Sequence, residues 1–212
     1  MISFEAVTIS MRGRILVQDV SFSIMTGEKV VLCGKSGSGK TTLLKALVGG
    51  AQIMQGVIQV GGLSVLPENI QQIRQDLAYI PQDPIVSQET AAEDLLLPFT
   101  FKAHSGKEPT AAQIEAVLSR LLLDPAILRQ KSATLSGGEK QRLVIARAIL
   151  LNKRIFLADE ITSALDPESK DAVFSFLLES EHTVLSISHD PEWVGRCNRV
   201  FTIDNGILRE EK

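Results

Sequence analysis

"KVVLCGKSGSGKTTLLKALVGG", residues 29–50, changes its periodicity halfway along. Val30 to Cys33 form a continuous apolar run that stops at Gly34, the pattern of a strand buried on both faces. From Lys40 onward the apolar residues Leu43, Leu44 and Leu47 recur at helical spacing and end at Gly49 and Gly50, a glycine stop. Between strand and helix, "GKSGSGKT" from Gly34 to Thr41 fits G-x-x-x-x-G-K-[ST], in the strand-loop-helix setting that gives the pattern its meaning. Glycines there let backbone N–H groups converge on phosphate oxygens, and the helix start adds partial positive charge. Gly34, Lys35, Ser36, Gly37, Ser38, Gly39, Lys40 and Thr41, with Thr42 behind them, are therefore the expected nucleotide-binding residues. Lys40 is expected to reach the β and γ phosphates as a point charge, and the Thr41 hydroxyl to ligate magnesium.

On the amino-terminal side, "ISFEAVTI" and "VSFSI" alternate apolar and polar residues, which predicts half-buried strands of an antiparallel edge sheet. "GVIQVGG" and "LAYIPQD" on the other side predict two further strands. From 84 to 134 the character turns helical: Thr110 with Gln113 makes a capping box, and "AVLSRLLL" continues a helix that Pro125 closely follows. After this insert come three apolar runs, "RIFLAD", "TVLSIS" and "RVFTI". Helical "PESKDAVFSFLLES" separates the first two, and this alternation predicts a mainly parallel sheet. Asp166 and Pro167 read as the N-cap and first-turn residue of that helix.

The run "RIFLADE" carries a buried strand outward to Asp159 and Glu160. Carboxylates at the carboxyl end of a parallel strand face the ligand crevice, so Asp159 is placed to hold magnesium. Glu160 is placed to orient and polarise an attacking water, a contribution of about 10²- to 10⁴-fold in rate. Composition narrows the setting. The chain has 212 residues, 44% hydrophobic, with a formal net charge of -3 and no block of basic residues, which argues for one domain and against nucleic acid as a partner. No apolar stretch approaches the ~20 residues of a membrane span, and no signal-type segment opens the chain, so a cytosolic location is expected. Cys33 and Cys197 then read as reduced, small core residues.

A second anion-binding turn, "LSGGEKQR" at 135–142, follows the first by about a hundred residues. With it, the chain resembles the nucleotide-binding domain of ATP-binding cassette ATPases over nearly its whole length. The resemblance rests on the phosphate loop, Gln82 in "IPQD", the signature Leu135, Ser136, Gly137, Gly138 and Glu139, the acidic pair, "SALD" ending at Asp166, and His189 in "SISHD", in that order. It implies an α/β P-loop NTPase (RecA-like) fold: a mainly parallel core sheet, an antiparallel β edge sheet and an inserted helical subdomain. The single domain, 1–212, would divide into a nucleotide-binding core, 1–83 and 135–212, and the helical subdomain, 84–134.

The resemblance also implies why one site needs two loops. Two subunits would pair head to tail as an ATP-dependent homodimer, each ATP lying between one subunit's phosphate loop and the other's signature, with Mg2+ held by Thr41, Gln82 and Asp159. Glu160 and His189 would be catalytic, and Asp166 would lie at the dimer seam. Two positions depart from the family's pattern. An aromatic usually stacks on adenine near Met11 or Arg12, and neither is aromatic; Arg could cover the ring by cation–π contact, Met by its sulfur. Glu139 stands where Gln is commoner.

Family members that act on DNA insert a long coiled coil between the phosphate loop and the acidic pair; here Asp159 follows Lys40 by only 119 residues, without heptads. The reading favoured is the energy subunit of a transporter, peripheral on the cytoplasmic face of the membrane and paired with a separate polytopic permease. "IVSQETAAEDLLLPFTFK" would receive the permease's coupling helix. The combination is most similar to the small ATPases paired with a bacterial membrane protein implicated in iron export. The alternative is a soluble assembly ATPase such as those serving iron–sulfur cluster scaffolds, which also carry Glu in the signature. His104 and His182 are expected on the surface, and Trp193 as a packing anchor.

Overall fold

The computed structural model describes every residue except Arg12 and Ser180. In chain order the strands are β1 (Ile2–Met11), β2 (Arg14–Ile24), β3 (Lys29–Cys33), β4 (Gln52–Val60), β5 (Leu63–Ser64), β6 (Leu77–Ile80), β7 (Ile155–Asp159), β8 (Thr183–Ile187), β9 (Arg199–Asp204) and β10 (Ile207–Glu210). The α-helices are α1 (Lys40–Leu47), α2 (Ile70–Asp76), α3 (Ala91–Leu96), α4 (Ala111–Arg120), α5 (Gly137–Leu150), α6 (Pro167–Leu177) and α7 (Pro191–Arg196). They fall into two compact units: 1–79 with 154–160 and 178–212, and 80–153 with 161–177.

In the first unit, the alternating amino-terminal stretches form an antiparallel sheet in the order β2-β1-β4-β5. Alternation along β1 slips within the strand. Ile2 and Phe4 face the core, then Val7 and Ile9 do, because the register shifts between Phe4 and Val7. Ala6 and Asp19 take φ of 48° at this irregularity, and their amides donate to Ser21 Oγ (2.8 Å) and Thr8 Oγ1 (3.1 Å) instead of to the ladder.

The second sheet runs β10-β9-β3-β8-β7-β6. β3 pairs parallel with β8 and β9, and β7 pairs parallel with β8, so Gly34, Glu160 and Ser188 all follow carboxyl ends on the same edge. Val30, Val31, Leu32, Leu157, Val184 and Leu185 are fully buried, which is why these strands read as unbroken apolar runs. Leu43, Leu44 and Leu47 of α1 join the same core cluster as Ile9, Leu157 and Leu185. Trp193 anchors α7: it is 2% exposed and its Nε1 donates to Ser186 Oγ at 2.8 Å. His182 departs from the surface position expected of it. Its side chain is 12% exposed and packs edge-on against Phe156, ring centroids 5.0 Å apart, because Thr183 starts a fully buried strand directly after it.

The second unit is helical. Thr110 and Gln113 form the expected reciprocal box at the start of α4, and α5 packs on α3 and α4. His104, also expected at the surface, is half-buried with its ring edge-on to Phe99. A buried polar cluster holds the segment after Gln82. The Asp94 carboxylate, 1% exposed, accepts from the amides of Ser87 (2.9 Å) and Gln88 (3.2 Å) and from the Ser132 hydroxyl. Arg147 of α5 donates to the Asp94 and Ile85 carbonyls, and a bridge pairs Thr90 with Lys131. The loop leaving Gln82 and the turn entering the signature are thus tied to one another.

Candidate active site

The phosphate loop leaves β3 at Gly34 (φ 133°) and enters α1 through Gly39 (φ 106°). A Cβ at Gly34 would lie 2.2 Å from the Ile203 carbonyl oxygen, and one at Gly39 2.7 Å from that of Leu16, so close approach as well as conformation demands glycine at both. Lys40 is buried and its Nζ donates to the Gly34 (2.6 Å) and Lys35 (2.9 Å) carbonyls, which holds the ammonium inside the loop. Ser38 Oγ is buried without a hydrogen-bond partner, a donor in want of an acceptor such as a phosphate oxygen. Thr42, the third residue of α1, is buried. Lys35, Ser36 and Gly37 form the exposed crest.

Asp159, 3% exposed, ends β7 beside the loop. Thr41 Oγ1 donates to its Oδ1 at 3.3 Å, and the Tyr79 hydroxyl donates to its Oδ2 at 3.3 Å. Burial first, then the Asp159 charge, pushes the Tyr79 hydroxyl far above its ordinary range, so it stays a donor. The paired oxygens of Thr41 and Asp159 are the hard donors that magnesium takes, and with the orphan Ser38 hydroxyl they fit a magnesium–nucleotide ligand.

Glu160 follows with φ of 48°, a strained value for a non-glycine residue, and its backbone N–H donates a hydrogen bond to the Ile187 carbonyl at 3.0 Å. Its Oε1 lies 3.7 Å from Nε2 of His189, whose side chain is 55% exposed. The structure therefore brings Lys40, Thr41, Asp159, Glu160 and His189 together in the first unit. Cys33 Sγ donates to the Ser188 carbonyl at 3.6 Å, and burial raises the thiol's pKa, so it is held protonated there.

A cavity of about 340 Å³ lies against Lys35–Ser38, walled by Arg14, Ile15, Leu16 and Asn205. Met11 is exposed and does not line it. Arg12 lies outside the described residues. A larger cavity of about 640 Å³ in the same unit, lined by Ile53, Val57, Leu66, Ile70 and Arg74 among others, contains none of the motif residues.

The remaining motif residues belong to the second unit. Gln82 is exposed in the loop after β6. Leu135 is buried and Ser136 exposed, and α5 opens at Gly137. Ser136 Oγ accepts from the Glu139 amide (3.3 Å), while Glu139 Oε2 accepts from the Ser136 amide (2.8 Å) and hydroxyl (2.7 Å). Gly138 sits where an added Cβ would come 3.4 Å from the Ala164 carbonyl oxygen. Asp166 caps α6, accepting from the Ser169 amide (3.0 Å) and hydroxyl (2.6 Å), and Arg142 of α5 donates to that same Ser169 Oγ at 2.7 Å. An unbroken chain thus runs from the signature helix to Asp166 through two residues, Arg142 and Ser169, that the sequence reading did not single out. Tyr79 was also missed; its place two residues before Pro81, on the strand beside β7, is the available signal.

A phosphate loop and an acidic strand end on a parallel sheet define a P-loop nucleoside triphosphatase. The family model described as "ABC transporter" matches residues 17–163. An energy-coupling factor transporter ATP-binding protein EcfA1 of Levilactobacillus brevis is 32% identical over 91% of this chain and 71% of its own length. An ATP-dependent lipid A-core flippase of Haemophilus influenzae is 31% identical over 99% of this chain, which spans only 37% of the flippase. Among solved structures, a dimeric post-hydrolysis state of the ATP-binding cassette MJ0796 bound to ADP and Pi superposes with a TM-score of 0.88 at 27% identity, covering 100% of this chain and 98% of that one. The chain belongs to the ABC transporter family, as an ATPase whose ligands are ATP and magnesium.

Proposed function

We propose that two copies of this chain close head to tail on two ATP molecules and drive a separate membrane-spanning permease. The observation that carries this reading is the division of anion-binding parts within one chain: a phosphate loop against Asp159 and Glu160, and a second capped helix start at Ser136. Lys40 and the loop amides bind the phosphates, with Ser38 Oγ as a further donor. Thr41 and Asp159 would hold magnesium, which would supply charge neutralisation at the phosphates. Glu160 orients the attacking water and its own carboxylate accepts the water's proton, with His189 Nε2 3.7 Å from that carboxylate. Ser136, Gly137 and Gly138 of the second copy meet the γ phosphate from the far side, with Asp166 at the seam. ADP lacks that phosphate, so the pair parts after hydrolysis.

The domain reading kept here is one ATPase domain over 1–212, with 84–134 as its helical subdomain. No described helix is long and apolar enough to cross a membrane. Attachment to the cytoplasmic face runs through the permease, whose coupling helix docks on the segment 85–102, where Ile85 is 65% exposed and Phe101 57%. The cargo reading, iron or another metal carried outward, rests on the sequence resemblance alone. To test the whole, tagged Glu160→Gln chain is trapped with ATP in its native cell and its partners identified. A polytopic membrane protein in stoichiometric amount supports the proposal. A soluble scaffold, with the ATPase absent from membranes, points to an assembly machine instead.

A further inference from the structure

The signature carries one hydroxyl, on Ser136, and both its proton and a lone pair are already committed inside the chain. Its proton goes to Glu139 Oε2 at 2.7 Å, and its oxygen accepts from the Glu139 amide at 3.3 Å. A serine hydroxyl has a single hydrogen, so it cannot donate to Glu139 and to a phosphate oxygen at once. The same carboxylate takes the Ser136 amide hydrogen at 2.8 Å and sets a full negative charge at a helix start, the place where an incoming anion is otherwise favoured.

We infer that Glu139 is a brake on the ATP-bound dimer: the Ser136 hydroxyl must leave Glu139 before it can donate to the γ phosphate, and the Glu139 charge opposes that phosphate. This rests on the head-to-tail reading above. The groups that could cancel the charge do so only in part. Arg142, one turn along α5, interacts favourably with Glu139 but spends one guanidinium hydrogen bond on Ser169 and lies between Glu139 and a second carboxylate, Asp166. Hydrogen bonds from the Ser136 hydroxyl and amide hold the Glu139 carboxyl below its usual range, so the charge persists at neutral pH. Binding of ADP, which brings no γ phosphate to the second subunit, is left untouched. The brake therefore sets the threshold at which ATP closes the dimer.

The test compares Glu160→Gln with Glu160→Gln/Glu139→Gln, titrating magnesium-ATP while sedimentation reads the dimer fraction. Glutamine keeps an acceptor for Ser136 and removes the charge. The double variant is expected to dimerise at about fivefold lower ATP, the scale of a unit charge a few ångströms from a phosphate in a solvent-exposed setting. The gap should narrow as salt rises from 0.05 to about 0.5 M. A helix-start residue acting only as a cap would show no gain and no such salt dependence. Dimers that form at equal or higher ATP in the double variant overturn the inference. Monomers under ATP in both variants overturn the head-to-tail reading itself, a failure recognisable because the Glu160→Gln reference also stays monomeric. Glu139→Ala in the same background guards against a glutamine that swings away: it too should dimerise at lower ATP, despite a weaker cap.

Discussion

The Tyr79 hydroxyl donates to Asp159 Oδ2 while the Thr41 hydroxyl donates to Oδ1, each at 3.3 Å, so both oxygens of the metal-side carboxylate are oriented by neighbouring elements of the first unit. A group that orients a metal-binding carboxylate typically matters by 10- to 100-fold in metal affinity or activity. Tyr79→Phe, which keeps the ring and loses the donor, is expected to raise the magnesium concentration for half-maximal ATP hydrolysis about tenfold at unchanged fold. An unaltered magnesium titration would show the contact to be idle.

Lys40→Ala removes the one buried ammonium of the phosphate loop. Loss of a pre-organised charge at such a site costs at least ~100-fold in turnover. Phosphate release by the purified variant at saturating ATP checks this, and turnover near the wild-type value would contradict the site assignment.

Asp94 is a stability prediction instead. Its buried carboxylate satisfies two amides and the Ser132 hydroxyl, and its charge offsets that of half-buried Arg147. Asp94→Ala strands those donors and is expected to cost about 3 kcal/mol. For a chain of this size that lowers Tm by roughly 10 °C. Asp94→Asn retains an acceptor and should lose less than half as much in the same thermal scan.

The Ser136–Glu139 box also predicts a pH effect on helix α5. Glu139's folded-state pKa is lowered, chiefly by the Ser136 hydroxyl bond, so the unfolded chain takes up its proton first as pH falls. The contribution is complete above the ordinary glutamate value of about 4.3 and disappears as pH drops through the lower folded value. Because Glu139 is half-buried and still meets solvent, the effect is small. Between pH 3 and 6, the Tm difference between wild type and Glu139→Gln should shrink toward the acid end; a constant difference would count against it.

How much of this was legible beforehand depends on range. Period and punctuation sufficed for β3, α1 and the carboxylate-tipped β7, because each is a local pattern: near-continuous burial in the two strands and one buried apolar face on the helix. The box at Thr110 and Gln113 was equally readable, being a contact three residues long. Contacts between elements far apart in the chain were not. Tyr79 reaches a carboxylate 80 residues away, and Arg142 a hydroxyl 27 residues away, and neither side chain carries a local signal of its partner. The slip in β1 was hidden for another reason: Glu5 and Ala6 interrupt a strict alternation that still averages to a strand. His182 read as a surface residue because its neighbours Glu179 and Glu181 are polar, while the surface that covers it is Phe156 on another strand.

The most direct test of the central claim is the oligomeric state of Glu160→Gln under each nucleotide, measured by sedimentation with magnesium present. The account predicts dimers with ATP and monomers with ADP, because only the γ phosphate reaches the second copy's Ser136. Monomers under both nucleotides, with ATP demonstrably bound, would contradict it.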